Sequence, residues 1–247
     1  MPLNQFEQPI GQALPDWTTR QRPDAVNLSG QYCDLAPLNV ARHGEDLFKM
    51  LNDDKNIQGW TYLSYGPFTS LKAFLTWLTQ AAEQTDPLFF VITDKQHQPL
   101  GLFSLLRINE VMGSVEIGHV HYSPTLKRSV IATEAMYLLL RHVFSGLGYR
   151  RCEWKCDALN DKSRRAAKRY GFQFEGIFRQ AMIYKGRNRD TAWFAMIDKD
   201  WPAIQTAYTA WLSPENFDQN GIQRSRLTMP TITPETTDQE TTLECSE

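Results

Sequence analysis

The segment EIGHVHYSPTLKRSVIATEAMYLLLRHVF (116–144) decides the fold, because it joins an alternating strand to a long helix through a basic loop. Apolar and polar residues alternate over 114–122, as expected for a half-buried strand. The apolar stripe of the helix is formed by Ala132, Ala135, Met136, Leu139, Leu140 and Val143. Glycines at 146 and 148 end the helix, and 150–157 has the pattern of another strand. A helix between two strands is the crossover that parallel neighbours require, so the segment predicts an α/β protein.

The rest of the chain adds strands and helices around this unit. The pattern predicts strands over 31–38, 88–94, 100–108, 172–184 and 191–198, and helices from residue 39 and over 70–84, 160–170 and 201–211. A polar turn is expected over 185–190, between the last two strands. The predicted fold class is therefore α/β, of the α+β mixed-sheet kind, with a central, mostly antiparallel sheet flanked by helices.

Composition limits the protein class and the domain plan. An apolar share of 42% and a net charge of −2 favour a globular protein without a nucleic-acid or membrane partner. We see no apolar run of the roughly 18–20 residues that span a bilayer and no secretory signal, and we expect a cytoplasmic protein. We predict an irregular arm over 1–30, one domain over 31–220 and a disordered tail over 228–247. The oligomeric state is not indicated.

The cysteines argue against a disulfide framework. Four of them, Cys33, Cys152, Cys156 and Cys245, are scattered through the chain. Cys152 and Cys156 have the spacing of a metal-binding pair, but they lie on one predicted strand and no second pair follows. We therefore expect buried free thiols and no metal.

The loop before the long helix has the properties of an anion site. Unpaired N–H groups and the positive end of the dipole face outward at a helix N-terminus, and Lys127 and Arg128 add charge there. The segment 116–144, with its ATEA run, resembles the acetyl-CoA-binding motif of the GNAT N-acetyltransferases, and in particular the RimJ/RimL-like branch. That resemblance implies a GNAT fold with splayed parallel strands that bind CoA. Its pyrophosphate contacts fall on Lys127, Arg128, Ser129, Val130, Ile131, Ala132 and Thr133. Val130 stands where the family usually has glycine, and Lys127 where it has Gln or Arg.

Alternation along the strand before the loop predicts which side chains share a face. Glu116, Gly118, Val120 and Tyr122 are expected on one face, and Val115, Ile117, His119 and His121 on the other. Gly118 leaves the backbone open to pantetheine. Backbone N–H groups near His119, Val120 and His121 are candidate donors to the thioester carbonyl. His119 is also a candidate base, with a packed strand histidine as the alternative.

A second motif, NDKSRRAAKRYGFQFEGIFRQ (160–180), resembles the N-x-x-S…GF…EG signature of the same family. Asn160 is independently expected to cap the helix. The resemblance implies that Asn160 contacts the pantetheine arm and that Ser163 protonates the departing thiolate. Tyr170 is a rival acid, with a tyrosine at the edge of the core as the alternative.

The general base is the member of the predicted site at which the chain departs from the family pattern. Met182 aligns with the glutamate of RimL-like enzymes, and methionine cannot take a proton. Glu116 is the remaining candidate, acting directly or through water, and a salt-bridged strand carboxylate is its alternative. A weak base favours an α-amine over a lysine, whose deprotonation costs about 3 kcal/mol more.

The acceptor side is predicted from aromatic residues in GWTYLSYGPF. Trp60, Tyr62, Tyr65 and Phe68 are expected to line the acceptor pocket, or else to form a packed loop. The basic segment 186–190 is expected to be a solvated hairpin turn, with contact to an acidic substrate or to the CoA 3′-phosphate as the alternative. The predicted function is acetyl-CoA-dependent transfer to a primary amine, such as a peptide or protein N-terminus. A small-molecule amine acetyltransferase, or an inactive CoA-binding or interaction module, is the alternative.

Overall fold

A computed structural model describes residues 2–231, which form an eight-stranded mixed sheet flanked by five α-helices. The strands are β1 Leu28–Ser29, β2 Asp34–Pro37, β3 Leu88–Thr93, β4 Pro99–Asn109, β5 Ser114–Tyr122, β6 Arg151–Asp157, β7 Gln173–Tyr184 and β8 Arg187–Ile197. Their order across the sheet is β1-β2-β3-β4-β5-β6-β8-β7. Only β5 and β6 pair in parallel within the described residues. The predicted mixed, mostly antiparallel sheet is confirmed.

The helices are α1 Val40–Leu51, α2 Leu71–Ala82, α3 Val130–Arg141, α4 Asp161–Arg169 and α5 Trp201–Leu212. Four of them begin at a residue whose side-chain oxygen accepts from the N–H three positions on: Asn39, Ser70, Ser129 and Asn160. These caps satisfy backbone donors that the helix itself leaves unpaired. The predicted cap at Asn160 is thus confirmed. The long helix ends in a π-helical turn, His142–Gly146, before Gly148 adopts a positive φ of +67°.

Two hydrophobic clusters lie on opposite faces of the sheet. The larger packs α3 and α5 on one face, with Phe103, Ile117 and Leu139 fully buried. The smaller packs α1 and α2 on the other face, around Trp60 and Phe74. β3 alternates between the two clusters, with Phe90 and Ile92 in the larger and Phe89 and Val91 in the smaller, as expected for a strand with both faces covered.

A buried carboxylate on α3 fixes the entry of the chain into the sheet. Glu134 is 4% exposed and accepts hydrogen bonds from the backbone N–H groups of Gln31, Tyr32 and Cys33, at 2.7, 2.6 and 2.8 Å. A Cβ added to Gly30 would lie 2.5 Å from this carboxylate. Glycine is therefore needed where the backbone crosses over Glu134.

Some predicted boundaries were wrong. The strand predicted over 31–38 is limited to Asp34–Pro37, because the N–H groups of residues 31–33 bond to Glu134 instead of a strand. The turn predicted over 185–190 contains only Lys185 and Gly186, both with positive φ, and β8 continues through the polar residues 187–190. Two positive φ values match a tight two-residue hairpin.

The N-terminal arm lies against the turn between β4 and β5. The indole of Trp17 donates to the Val111 carbonyl at 2.9 Å, and Arg22 pairs with Glu110 at 2.7 Å. Cys152 and Cys156 are buried free thiols, as predicted. The tail predicted over 228–247 lies outside the described residues from residue 232 onward. None of the described helices is long and apolar enough to cross a membrane.

Candidate active site

The parallel strands β5 and β6 separate partway along their length. Their pairing joins residues 114–116 to residues 151–153 and stops at Glu116 and Glu153. Beyond that point β5 stays bonded to β4 up to Tyr122, and β6 stays bonded to β8 up to Asp157. The facing edges of 117–122 and 154–157 form no further register pairs with each other. A ligand backbone can therefore bond to these edges in the way that another strand would.

A β-bulge lies in the separated part of β5. Ser104 faces Gly118 and Leu102 faces His121, so β5 has one residue more than β4 over this stretch. His119 carries the strain with φ of +52°. A bulge redirects the side chains that follow it.

The bulge overturns the predicted faces of the strand. Val120 and Tyr122 pack with Val115 and Ile117 on the α3 side, not opposite them. His119 and His121 turn to the α1–α2 side instead, where their rings contact Phe89 and Trp60. Regular alternation failed because the sequence pattern contains no signal for the extra residue.

The start of α3 lies just beyond this strand. Ser129 caps it, and Val130 is its first residue with an ordinary helical backbone. Arg128, which is exposed, takes the positive φ of +64° instead. Glycine is therefore not required at position 130 for conformational reasons. The segment 127–133 surrounds the helix N-terminus as the resemblance implied.

Two contacts that the sequence did not predict hold this loop. The Lys127 ammonium donates to the fully buried Asn56 Oδ1 at 2.5 Å. Burial and the nearby Lys162 lower the pKa of Lys127. Arg169, on α4, donates to the Thr133 hydroxyl at 3.1 Å in the first turns of α3. The Lys127 ammonium and the N-terminus of α3 thus lie on one surface.

Glu116 lies in a chain of ion pairs on the α1–α2 side of β5. Its Oε2 binds Arg107 at 2.6 Å and Lys155 at 3.1 Å, and its side chain is 6% exposed. Lys155 also binds Glu153 at 2.6 Å and lies over the Trp193 ring at 3.8 Å. Glu116 is therefore salt-bridged, the alternative weighed above. Its Oε1 lies toward Gly118, where an added Cβ would be 3.4 Å from it.

The two histidines are neutral at physiological pH. Burial, with a smaller effect of Arg107, lowers the pKa of His119 to about 4. Burial, with Lys127 as the second cause, lowers the pKa of His121 to about 3. His119 Nδ1 lies 2.8 Å from the Tyr65 hydroxyl, which ties the bulge to the aromatic loop.

The N-terminus of α4 faces the separated part of β6. Ser163 donates its backbone N–H to Asn160 Oδ1 at 3.1 Å, and its Oγ accepts from the Trp154 indole at 2.9 Å. Tyr170 is 6% exposed, and its hydroxyl lies 3.5 Å from the Ala132 carbonyl in the core. Burial raises its pKa. Tyr170 therefore lies in the core, which favours the alternative given for it over a role as acid.

The predicted acceptor aromatics have different environments. Trp60 is 1% exposed and donates to the Leu51 carbonyl at 2.9 Å, so it belongs to the core, contrary to the prediction that it contacts the acceptor. Phe68 packs edge-on against Trp60. Tyr65 is half-buried beside His119, and the half-buried Tyr62 donates to the Leu159 carbonyl at 3.3 Å. These two remain next to the strand separation.

The sequence analysis missed a buried carboxylate at the end of β6. Asp157 is 4% exposed, accepts from the Leu159 N–H at 2.8 Å and from the Tyr184 hydroxyl at 2.8 Å. Burial and this carboxylate raise the pKa of Tyr184 to about 12. The sequence signal for Asp157 is its position at the carboxyl end of a predicted parallel strand.

Comparison with known proteins agrees with this geometry. Residues 35–173 match the family described as acetyltransferase (GNAT) domain. The chain belongs to the GNAT acetyltransferase family. The enzymes of this family take the acetyl group from acetyl-CoA, so acetyl-CoA is the cosubstrate.

Individual GNAT relatives support the assignment. A GCN5-related N-acetyltransferase from Brucella melitensis is 46% identical, with a TM-score of 0.84 over 87% of this chain and 97% of that one. A GNAT-family protein from Chromobacterium violaceum is 43% identical, with a TM-score of 0.75 over 79% and 98%. A candidate ribosomal N-acetyltransferase, YdaF of Bacillus subtilis, is 27% identical over 101 residues. That match covers 41% of this chain and 55% of YdaF, so it spans about half the length of this relative.

Proposed function

We propose that this GNAT protein transfers the acetyl group of acetyl-CoA to the α-amino group of a peptide or protein by direct attack in a ternary complex. The observation that carries the proposal is the separation of β5 and β6 beside the N-terminus of α3. Strand edges suit the pantetheine amides, and a helix N-terminus with adjacent cations suits the phosphates.

The residues divide the reaction between them. The N–H groups of His119, Val120 and His121, redirected by the bulge, are proposed donors to the thioester oxygen as it becomes negative. Asn160 is proposed to contact the pantetheine arm. The amine nitrogen attacks the carbonyl carbon, the C–S bond breaks, and Ser163 or water protonates the sulfur.

Glu116 is proposed to take the proton from the attacking amine, through a water near Oε1. Two cations bind its Oε2, and His119, with a pKa of about 4, is a weaker base than an ordinary histidine. An α-amine with a pKa near 8 suits such a site, whereas a lysine amine near 10.4 would be mostly protonated. The name of YdaF points to a ribosomal acceptor for that protein, which is consistent with a peptide N-terminus here.

A small-molecule amine is the second candidate acceptor. Two hydrogen bonds cross the acceptor side: Tyr62 to the Leu159 carbonyl at 3.3 Å, and Lys185 to the Trp60 carbonyl at 2.7 Å. Both tie the aromatic loop to elements around the end of β6. Such closure favours a compact acceptor over a long peptide.

The deciding experiment follows CoA release with three acceptors of different class. These are short peptides with a free N-terminus, the same peptides with a blocked N-terminus and one lysine, and small primary amines. Turnover confined to free N-termini supports the α-amine proposal. Turnover only with small amines supports the second candidate, and no CoA release with any of them contradicts acetyl transfer.

A further inference from the structure

Trp154 makes a directional contact with the proposed acid. It is the first residue of β6 beyond the last pair with β5, and its indole Nε1 donates to Ser163 Oγ at 2.9 Å. The ring is 4% exposed and packs against Tyr170 and Phe172, with centroid distances of 6.1 and 5.8 Å. This packing leaves the indole little freedom to turn away from Ser163.

The chemistry of the two groups fixes the direction of the hydroxyl proton. An indole N–H donates and cannot accept, so Ser163 Oγ is the acceptor in this bond and its own proton must point elsewhere. The Ser163 proton is therefore available to an acceptor other than Trp154.

The backbone of Ser163 is held as firmly as its side chain. Its N–H donates to Asn160 Oδ1 at 3.1 Å, which fixes the first turn of α4 against β6. The position of Ser163 Oγ is therefore set before any ligand binds. Such pre-organisation is what a proton donor requires.

We propose that Trp154 is a positioning residue that orients the Ser163 hydroxyl toward the CoA sulfur, an inference that rests on the proposed role of Ser163. When the C–S bond breaks, the electron pair goes to sulfur and the sulfur takes the Ser163 proton. Ser163 then recovers a proton from solvent water, and the proton that Glu116 took from the amine returns to solvent, so that the products are the neutral amide and the CoA thiol. The Trp154 N–H stays on nitrogen throughout and stabilises the negative charge that develops on Oγ.

A double-mutant cycle tests the coupling. Trp154→Phe removes the donor and keeps an aromatic ring, and Ser163→Ala removes the hydroxyl. We expect Trp154→Phe to lower kcat about tenfold, the size expected for a charge-assisted hydrogen bond, with KM for acetyl-CoA changed less than about twofold. In the Ser163→Ala background the same change should lower kcat no further, because the oxygen that it orients is gone.

Two controls separate positioning from packing. Phe172→Leu disturbs the packing around Trp154 and leaves the hydrogen bond in place, so its effect on kcat should add to that of Ser163→Ala. Trp154→Met, which lacks a donor and fills irregular space, replaces the Phe variant if that variant is unstable.

Additive losses for Trp154→Phe and Ser163→Ala, or an unchanged kcat in Trp154→Phe, would overturn the positioning role while acetyl transfer itself stands. A wild-type kcat in Ser163→Ala would overturn the acid role and the positioning role together. Absence of turnover in the wild-type protein would overturn the proposed function as well.

Discussion

The Tyr65 hydroxyl and His119 Nδ1 lie 2.8 Å apart, with their rings stacked at 21° and 5.6 Å between centroids. Burial raises the pKa of Tyr65, and burial lowers the pKa of His119 to about 4. Both groups are therefore neutral over the physiological range. The pair holds the β5 bulge against the aromatic loop without a charge.

Stability should fall as the pH drops from about 6.5 toward 4. The ordinary histidine pKa is 6.5, and that of His119 is about 4 in the folded state, so the unfolded chain binds more protons between these values. The stabilisation is fully present above pH 6.5 and lost toward pH 4. This histidine contributes at most about 3 kcal/mol to the change, and His121 adds to it in the same direction.

Urea unfolding at pH values between about 4.5 and 7 measures the slope of the free energy of unfolding against pH. His119→Gln should reduce the slope, because the substituted side chain does not titrate. His97→Asn, on an exposed turn, is the matched control and should leave it unchanged. An equal slope in the wild type and in His119→Gln would contradict the burial of a neutral imidazole.

Glu116 and Glu153 bind the same Lys155 ammonium, so their substitutions can be compared directly. Both bind Lys155, at 3.1 and 2.6 Å, but only Glu116 lies toward Gly118 at the strand separation. Glu116→Gln should lower kcat/KM at least about tenfold, and more for acceptor amines of higher pKa, because these depend most on a base. Glu153→Gln should change kcat/KM less than about threefold.

The dependence on amine pKa is the decisive observation. A series of primary amines with pKa values between about 8 and 10 separates base catalysis from simple structural damage. Equal losses along the series for Glu116→Gln would assign this carboxylate to the ion-pair chain alone.

Glu134 should be among the most important polar residues for stability. It accepts three backbone N–H bonds while 4% exposed, and charge-assisted bonds are stronger than neutral ones. Glu134→Gln should cost roughly 2–4 kcal/mol, because an amide presents a donor to backbone donors. Gly30→Ala should cost a similar amount through the 2.5 Å approach to this carboxylate.

Urea unfolding of both variants measures these costs, with Gly11→Ala as the control, since a Cβ there meets nothing within 4 Å. If Glu134→Gln loses less than about 0.5 kcal/mol, water would have to satisfy the freed N–H groups, and the anchoring role would be lost.

Much of this architecture could be predicted because it depends on local periodicity and capping. The parallel pair followed from the helix over 130–141, and the cap at Asn160 followed from residue type. The bulge at His119 could not, because one extra residue in β5 is determined by pairing with β4. Alternation therefore assigned Val120 and Tyr122 to the wrong face.

Site residues were predictable where a motif carried them and not where tertiary contacts did. Asn160 and Ser163 lie together at the start of α4, in the segment that the motif identified. Lys155 and Asn56 have no distinctive sequence pattern, and their importance comes from burial and from partners distant in the chain. Trp60 was placed in the pocket because aromatics near a site resemble aromatics in a core.

Val130 tests whether the start of α3 holds the CoA phosphates. Val130→Asp places a negative charge in the first turn of the helix, where the dipole favours it, so the variant should fold at least as well as the wild type. Phosphates at the same N–H groups would be repelled, and the affinity for acetyl-CoA should fall at least about tenfold. Val130→Asn has the same shape without the charge and should bind within about threefold of the wild type. Calorimetric titration with acetyl-CoA and with CoA measures both variants, and the loss should shrink as salt is raised. Equal affinities for the Asp and Asn variants would place the phosphates away from this helix, since a charge at their binding site cannot be neutral in its effect.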